Sequence, residues 1–249
     1  TKTGDGTFNN TALLNAIYTP GPNDITTGSV SLCLRAFPCN PCSVNITDCT
    51  TLFISKNPTV NAGVDATICE NQTKTLAGTA ANYSTLFWTT SGDGTFSSSS
   101  SLTTVYSPGT TDISIGSVAL TLTANAISPC TVNSTDNLVL TIQKLPTTNA
   151  GADATICQND TKTLSGNASN YLSLLWLTTG DGSFSNSIIL NPIYTPGPSD
   201  IIGESVELTL LASSIFPCVA TSYDMMVLTI RKLPTANAGS DATICQNGT

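Results

Sequence analysis

Residues 61–73 read NAGVDATICENQT, residues 149–161 read NAGADATICQNDT and residues 237–249 read NAGSDATICQNGT. The phrase returns every 88 residues, and the rest of the chain keeps the same step. Gly-Asp-Gly begins at Gly4, Gly92 and Gly180, and a Pro-Cys pair places cysteines at Cys42, Cys130 and Cys218. Trp88 and Trp176 are one period apart, as are Tyr18, Tyr106 and Tyr194. A fixed period of this length is the mark of tandem structural units. It divides the chain into the C-terminal part of a unit (1–57), two complete units (58–145 and 146–233) and the start of a further one (234–249).

Within one period the pattern is all β. From Asn149 the strands expected are DATIC, TKTLSG and LSLLWLTT, then SFSN after the Gly-Asp-Gly turn, NPIYTP at an edge, SVELTLLAS and YDMMVLTIR. Val206, Leu208 and Leu210 alternate with Glu207 and Thr209, and Met226, Leu228 and Ile230 answer them, so one face of this hairpin is core and the other faces water. Seven or so short strands separated by turns predict an immunoglobulin-like β-sandwich per unit. The linker QKLPTTNAG (Gln143 to Gly151) is short and carries a proline, so units are expected end to end as a rod, each adding roughly 35–45 Å. The series reads as a window cut from a longer array.

Composition agrees with many short strands and turns. Only 10% of the 249 residues are charged, 40% are hydrophobic, and Ser and Thr are abundant. A net charge of −8 without a basic stripe argues against nucleic acid as a partner. The absence of histidine removes Ser-His-Asp and Cys-His catalytic arrangements and every imidazole metal site. No stretch approaches the ~20 apolar residues of a membrane-spanning helix, so membrane insertion is not expected, and Thr1 opens directly into strand-and-turn sequence rather than a signal peptide.

Nine cysteines without a paired CxxC zinc pattern read as an extracellular disulfide framework; FPCNPC (Cys39, Cys42) is a single CxxC. Cys69 with Cys130 and Cys157 with Cys218 share a separation of 61 residues inside one unit, and both pairs are expected to bridge. Pairing Cys130 with Cys157 would cross a unit boundary over too long a distance. Cys33 and Cys49 stand where later units have Thr121 and Thr209, and Asn137 and Met225. Both fall on outward positions, and a register pairing Leu32 with Thr50 sets Cys33 opposite Cys49, predicting a surface cross-strand disulfide. Cys42 wants a partner before Thr1, Cys245 one beyond Thr249, and Cys39 is undetermined.

The remaining motifs have simple readings. No helix is expected after Gly94 or Gly182, so Gly-Asp-Gly reads as a tight hairpin turn with glycine supplying positive φ, not as a phosphate loop. Trp88 and Trp176, in the apolar strands LFWTT and LLWLTT, read as core. Asp112, Asp153, Asp200 and Asp241 are the calcium candidates. Calcium wants six to eight oxygens with several carboxylates, only about two acids gather per junction, and turn and cap roles are the alternative. N-x-S/T occurs at Asn9, Asn45, Asn71, Asn82, Asn133, Asn159, Asn167 and Asn247, much of it by chance in a chain so rich in Ser and Thr.

DATICQNDTKTLSG, a tryptophan strand running into Gly-Asp-Gly, YTPGPSDI, SVELTL, a cysteine and a final VLTI strand resemble the PKD-like and immunoglobulin-like tandem repeats of giant Bacteroidota surface adhesins, including those of gliding motility. The resemblance covers the whole chain. A PKD domain reads W-D-F-G-D-G, whereas Trp88 is followed by Thr-Thr-Ser before Gly92, one residue more and without the first acid. The resemblance implies type IX secretion and display on the outer surface of a Gram-negative cell as a stalk. The partners implied are further repeats of the same polypeptide, laterally associated copies or other surface proteins. A glycan-binding module gripping surface polysaccharide, or a self-assembling filament or sheath, is the alternative; a glycan binder requires exposed aromatics at a fixed place in every unit, and Tyr18, Tyr106 and Tyr194 recur in every unit beside prolines, where an edge or corner role suffices. No cofactor is expected, and an enzyme is the least supported reading, since no nucleophile has an available base.

Overall fold

A computed structural model describes residues 1–246, and Asn247 lies outside the described residues. The chain divides into two compact units, Thr1–Ile142 and Gln143–Thr249.

In the Gln143–Thr249 unit a four-stranded sheet runs in the order Ala154–Cys157, Thr221–Arg231, Ser205–Ser214, Tyr171–Thr178. A three-stranded sheet runs in the order Lys162–Thr163, Ile193–Thr195, Ser183–Phe184, and Thr147–Asn149 pairs with Asn167–Ser169. Inward side chains of the two larger sheets share one core: Trp176, Val206, Leu208, Leu210, Met226, Leu228 and Ile230 from the first meet Tyr194 of the second, together with Leu164. The strict alternation of Ser205–Ser214 against Thr221–Arg231 produces this, because each outward Glu207 or Thr209 leaves its neighbours facing the core. The Thr1–Ile142 unit repeats the plan with Trp88, Tyr106, Val118, Leu120, Leu122, Leu138 and Leu140, so the all-β sandwich expected from the pattern is present in both units.

Residues 1–57 add a hairpin of Ser29–Ala36 with Ile46–Phe53, in which Leu32 opposes Thr50 and Cys33 opposes Cys49. The predicted Cys33–Cys49 disulfide is formed. The same outward cross-strand pair is Thr121 with Asn137 and Thr209 with Met225 in the later repeats, so one solvent-facing position accepts a disulfide, a polar pair or a mixed pair without altering the core.

The two bridges expected inside the repeats are not made: Cys130 and Cys157 are free thiols, while Cys69 and Cys218 are each disulfide-bonded. The reason lies in strand direction. Ala154–Cys157 runs parallel to Thr221–Arg231, which sets Cys157 beside Arg231, whereas Cys218 precedes the start of that strand at Thr221. Eleven residues of strand therefore separate the two cysteines. At ~3.3 Å per residue that is more than 30 Å, against the ~5.5 Å between Cα atoms that a bridge requires.

Each Pro-Gly pair leads into a six-residue helix that the strand-and-turn pattern does not announce: Pro22–Thr27, Thr110–Ile115 and Pro198–Gly203. The residue closing each helix is left-handed, Gly28 at φ 81°, Gly116 at φ 86° and Glu204 at φ 60°. A β-carbon is unfavourable there by roughly 1 kcal/mol, and the Glu204–Lys232 ion pair at 2.9 Å is exposed and offsets little of it. Glu204→Gly is therefore expected to stabilise the Gln143–Thr249 unit by about 0.5–1 kcal/mol in urea titration.

Candidate functional site

The acids and glycines that recur with the period converge at one place in each repeat. In the Thr1–Ile142 unit the Gly92-Asp93-Gly94 turn meets the start of the Thr110–Ile115 helix, and the two segments hold each other through a reciprocal pair of carboxylates. Asp112 Oδ1 accepts from the Asp93 N–H at 3.2 Å, and Asp93 Oδ1 accepts from the Asp112 N–H at 3.2 Å. Asp112 Oδ2 also accepts from the Gly94 and Gly109 N–H groups, both at 3.1 Å, and from the Tyr106 hydroxyl at 2.6 Å. Asp93 further takes the Thr111 N–H, so the turn's acid caps the helix while the helix's acid fills the turn.

The arrangement recurs with little change. Asp200 accepts from the N–H groups of Asp181, Gly182 and Gly197 and from the Tyr194 hydroxyl. Asp24 accepts from Asp5, Gly6, Gly21 and the Tyr18 hydroxyl. Asp24, Asp112 and Asp200 are the buried acids among the described residues, each no more than 2% exposed. Tyr106 and Tyr194 are fully buried, and each hydroxyl also meets a threonine, Thr90 at 2.8 Å and Thr178 at 2.9 Å. These tyrosines are core anchors that lock the turn to the helix.

Electrostatics follow from this packing. Burial, with Asp24 beside it, pushes the Tyr18 phenol up to about 12. Tyr106 and Tyr194 are likewise raised to about 12, burial being the main cause. The Tyr18 hydroxyl bond holds the Asp24 carboxyl below the ordinary range, and the backbone N–H groups of Thr111 and Ser199 do the same for Asp93 and Asp181. A raised phenol favours folding while protonated, so its contribution is complete below pH ~10 and disappears as pH climbs toward 12. A depressed carboxyl favours folding while ionised, so its contribution is complete above pH ~4 and disappears as pH falls through the lower folded value. Unfolding should therefore accompany phenolate formation between pH 10 and 12 in a variant whose other three tyrosines, Tyr83, Tyr171 and Tyr223, are replaced by phenylalanine, and a 295 nm absorbance titration run beside circular dichroism checks it. Phenolate appearing near pH 10 with the fold intact would contradict the lock.

Glycine is required here by contact rather than by backbone sign. The left-handed glycines are Gly28, Gly63, Gly116, Gly151 and Gly239, and none belongs to a Gly-Asp-Gly triplet, which corrects the expectation of positive φ in that turn. A β-carbon on Gly4, Gly92 or Gly180 would instead land on the carboxylate of Asp24, Asp112 or Asp200. One on Gly94 or Gly182 would strike Tyr106 or Tyr194.

A second pair of acids fastens the NAG segment of each complete repeat to its last strand. Ala62 N–H donates to Asp136 and Val139 N–H to Asp65; one period later Ala150 donates to Asp224 and Val227 to Asp153, all at 2.8 Å. Of the calcium candidates, Asp112, Asp153 and Asp200 are thus spent on N–H and O–H donors, and Asp241 is exposed. Among the described residues no three Cys, Asp or Glu gather as a metal-ligand group. The tryptophans are buried as expected, their indole N–H groups donating to Ser101 O and Ile189 O.

No family model and no curated protein matches the chain. Solved structures similar to it in arrangement are extracellular cadherin repeats. Mouse cadherin-23 EC22–24 matches at TM-score 0.49 and 13% identity over 92% of this chain and 83% of that one. Protocadherin gamma C5 EC1–3 matches at 0.49 and 14%, over 90% and 85%. Drosophila N-cadherin EC1–4 matches at 0.47 and 12%, over 74% of this chain, which spans about half of that structure (52%). The likeness at these identities concerns fold alone.

Proposed function

We propose that the chain is a structural segment of a secreted surface adhesin, a stalk whose repeats carry a functional region elsewhere in the polypeptide away from the cell. The observation that supports this reading most is the lock itself: in every repeat the conspicuous acids, glycines and tyrosine are consumed by one another. A binding or catalytic site keeps polar groups free for a ligand. Here the fixed residues secure a turn to a helix, which is what a module under mechanical load needs from its loops.

The large exposed aromatics support the same choice. Phe37, Phe53, Phe87, Phe216 and Tyr223 stand where the other repeats have Asn, Ser, Thr or Leu, and the rings that do recur, Phe8, Phe96 and Phe184, are half-buried and packed on Tyr18, Tyr106 and Tyr194 rather than held free for a sugar. The Cys33–Cys49 disulfide fits an oxidising, extracytoplasmic location. No helix of the described residues is long and apolar enough to cross a membrane. Display through type IX secretion on a Gram-negative cell belongs to this proposal, as does a role without catalysis. The test is a glycan array probed with the intact chain: no saturable binding is the expected result, and saturable binding that competes with free sugar would replace the stalk with a lectin-like module.

A further inference from the structure

We propose that Cys157 is the bonding point for the Pro-Cys hairpin of a repeat that follows it, so that its repeat is joined to the next by a disulfide as well as by the main chain. Cys157 closes the Ala154–Cys157 strand as an exposed free thiol, with Arg231 as its register partner. Together with Thr155, Ile156, Asp160 and Thr161 the two line an open groove of about 440 Å³.

What fits that groove is indicated by how the hairpin cysteines sit in their own units. Cys218 Sγ lies 3.3 Å from the Gln143 carbonyl, and Cys130 Sγ lies 3.4 Å from the Ser55 carbonyl. Ser55 and Gln143 are one period apart, each in the segment that leads into the repeat concerned, and Arg231 is the next member of the series. A hairpin cysteine held to Arg231 as Cys218 is held to Gln143 comes to rest beside Cys157. Neighbouring strands lie ~4.8 Å apart, inside the Cα range a disulfide accepts.

A separate observation identifies the covalent partner as sulfur. Cys69, which occupies the place of Cys157 one period earlier, is disulfide-bonded, and so is the hairpin cysteine Cys218. The remaining hairpin and first-strand cysteines of the complete repeats, Cys130 and Cys157, are the ones still free. Sequence also continues correctly, because residues 234–246 repeat the opening of a further repeat. Bond formation releases one proton from each thiol. The two electrons pass to oxidised glutathione or another small disulfide, which departs as two thiols.

The test lengthens the chain past Thr249 by the sequence of residues 162–233, completing the repeat begun at residue 234, and folds it in a glutathione redox buffer. Peptide mapping without reduction is expected to recover Cys157 joined to the cysteine of the added Phe-Pro-Cys hairpin; Cys157 recovered free or joined elsewhere overturns the proposal. A second arm uses the chain as it stands and a peptide of residues 212–222 whose Cys218 is activated as a thionitrobenzoate disulfide. Labelling of Cys157 should run about tenfold faster than with a scrambled peptide, while Cys39, Cys42 and Cys245 show no preference. Equal rates at Cys157 for the two peptides overturn it as well.

Discussion

Replacing Asp200 by asparagine is expected to destabilise the Gln143–Thr249 unit by about 4 kcal/mol and to lower its melting transition by roughly 20 °C. The substitution keeps size and shape and changes only what the two terminal atoms can do. Oδ1 of Asp200 accepts from Asp181 N–H, and Oδ2 accepts from Gly182 N–H, Gly197 N–H and the Tyr194 hydroxyl. An amide has one oxygen and one NH₂ group, so either orientation turns a donor toward a donor. The remaining N–H groups are left in a site from which water is excluded, and each such group costs on the order of 1–3 kcal/mol, not additively. Calorimetry is the appropriate measurement, since the Thr1–Ile142 unit supplies an internal reference whose transition should stay in place. A shift under about 5 °C would mean that the lock contributes less than its hydrogen bonds suggest.

The second large effect comes from the smallest possible addition. Gly92→Ala is expected to destabilise the Thr1–Ile142 unit by about 3 kcal/mol, because the new methyl group would overlap the Asp112 carboxylate. A flexible side chain could swing aside, but Asp112 is held by three N–H groups and a hydroxyl. Either the carboxylate leaves its donors or the turn moves away from the helix. Gly203→Ala is the matched control: a β-carbon there meets nothing within 4 Å, and the change should be neutral or slightly stabilising. Urea titration of both variants separates a contact effect from a general intolerance of alanine for glycine; equal, small effects would remove the argument for close packing.

Much of the fold was legible because two periodicities coincide. The 88-residue step marked the units, and the two-residue alternation of Val206, Leu208 and Leu210 marked the core face, so Trp88, Trp176 and the Cys33–Cys49 register followed from local sequence. The bridges within repeats failed because chain separation says nothing of strand direction, and the parallel pairing of Ala154–Cys157 depends on contacts some seventy residues away. The candidate site was visible as recurring acids but not as a lock. Its other half is made of backbone N–H groups, which every residue carries and no letter displays. Glycine likewise has two uses, an unusual φ and an absent side chain, and only coordinates separate Gly116 from Gly92.

The parallel pairing of Ala154–Cys157 with the last strand of its repeat bears on what happens when that repeat is stretched. A pull on its two ends crosses the short pairing of Thr147–Asn149 with Asn167–Ser169 and then loads Ala154–Cys157 against Thr221–Arg231, strands that lie side by side and run the same way. Tension then slides one past the other and loads their backbone bonds simultaneously, where an antiparallel terminal pair would open one rung at a time. Resistance to traction is thus written into the order in which the strands are laid down.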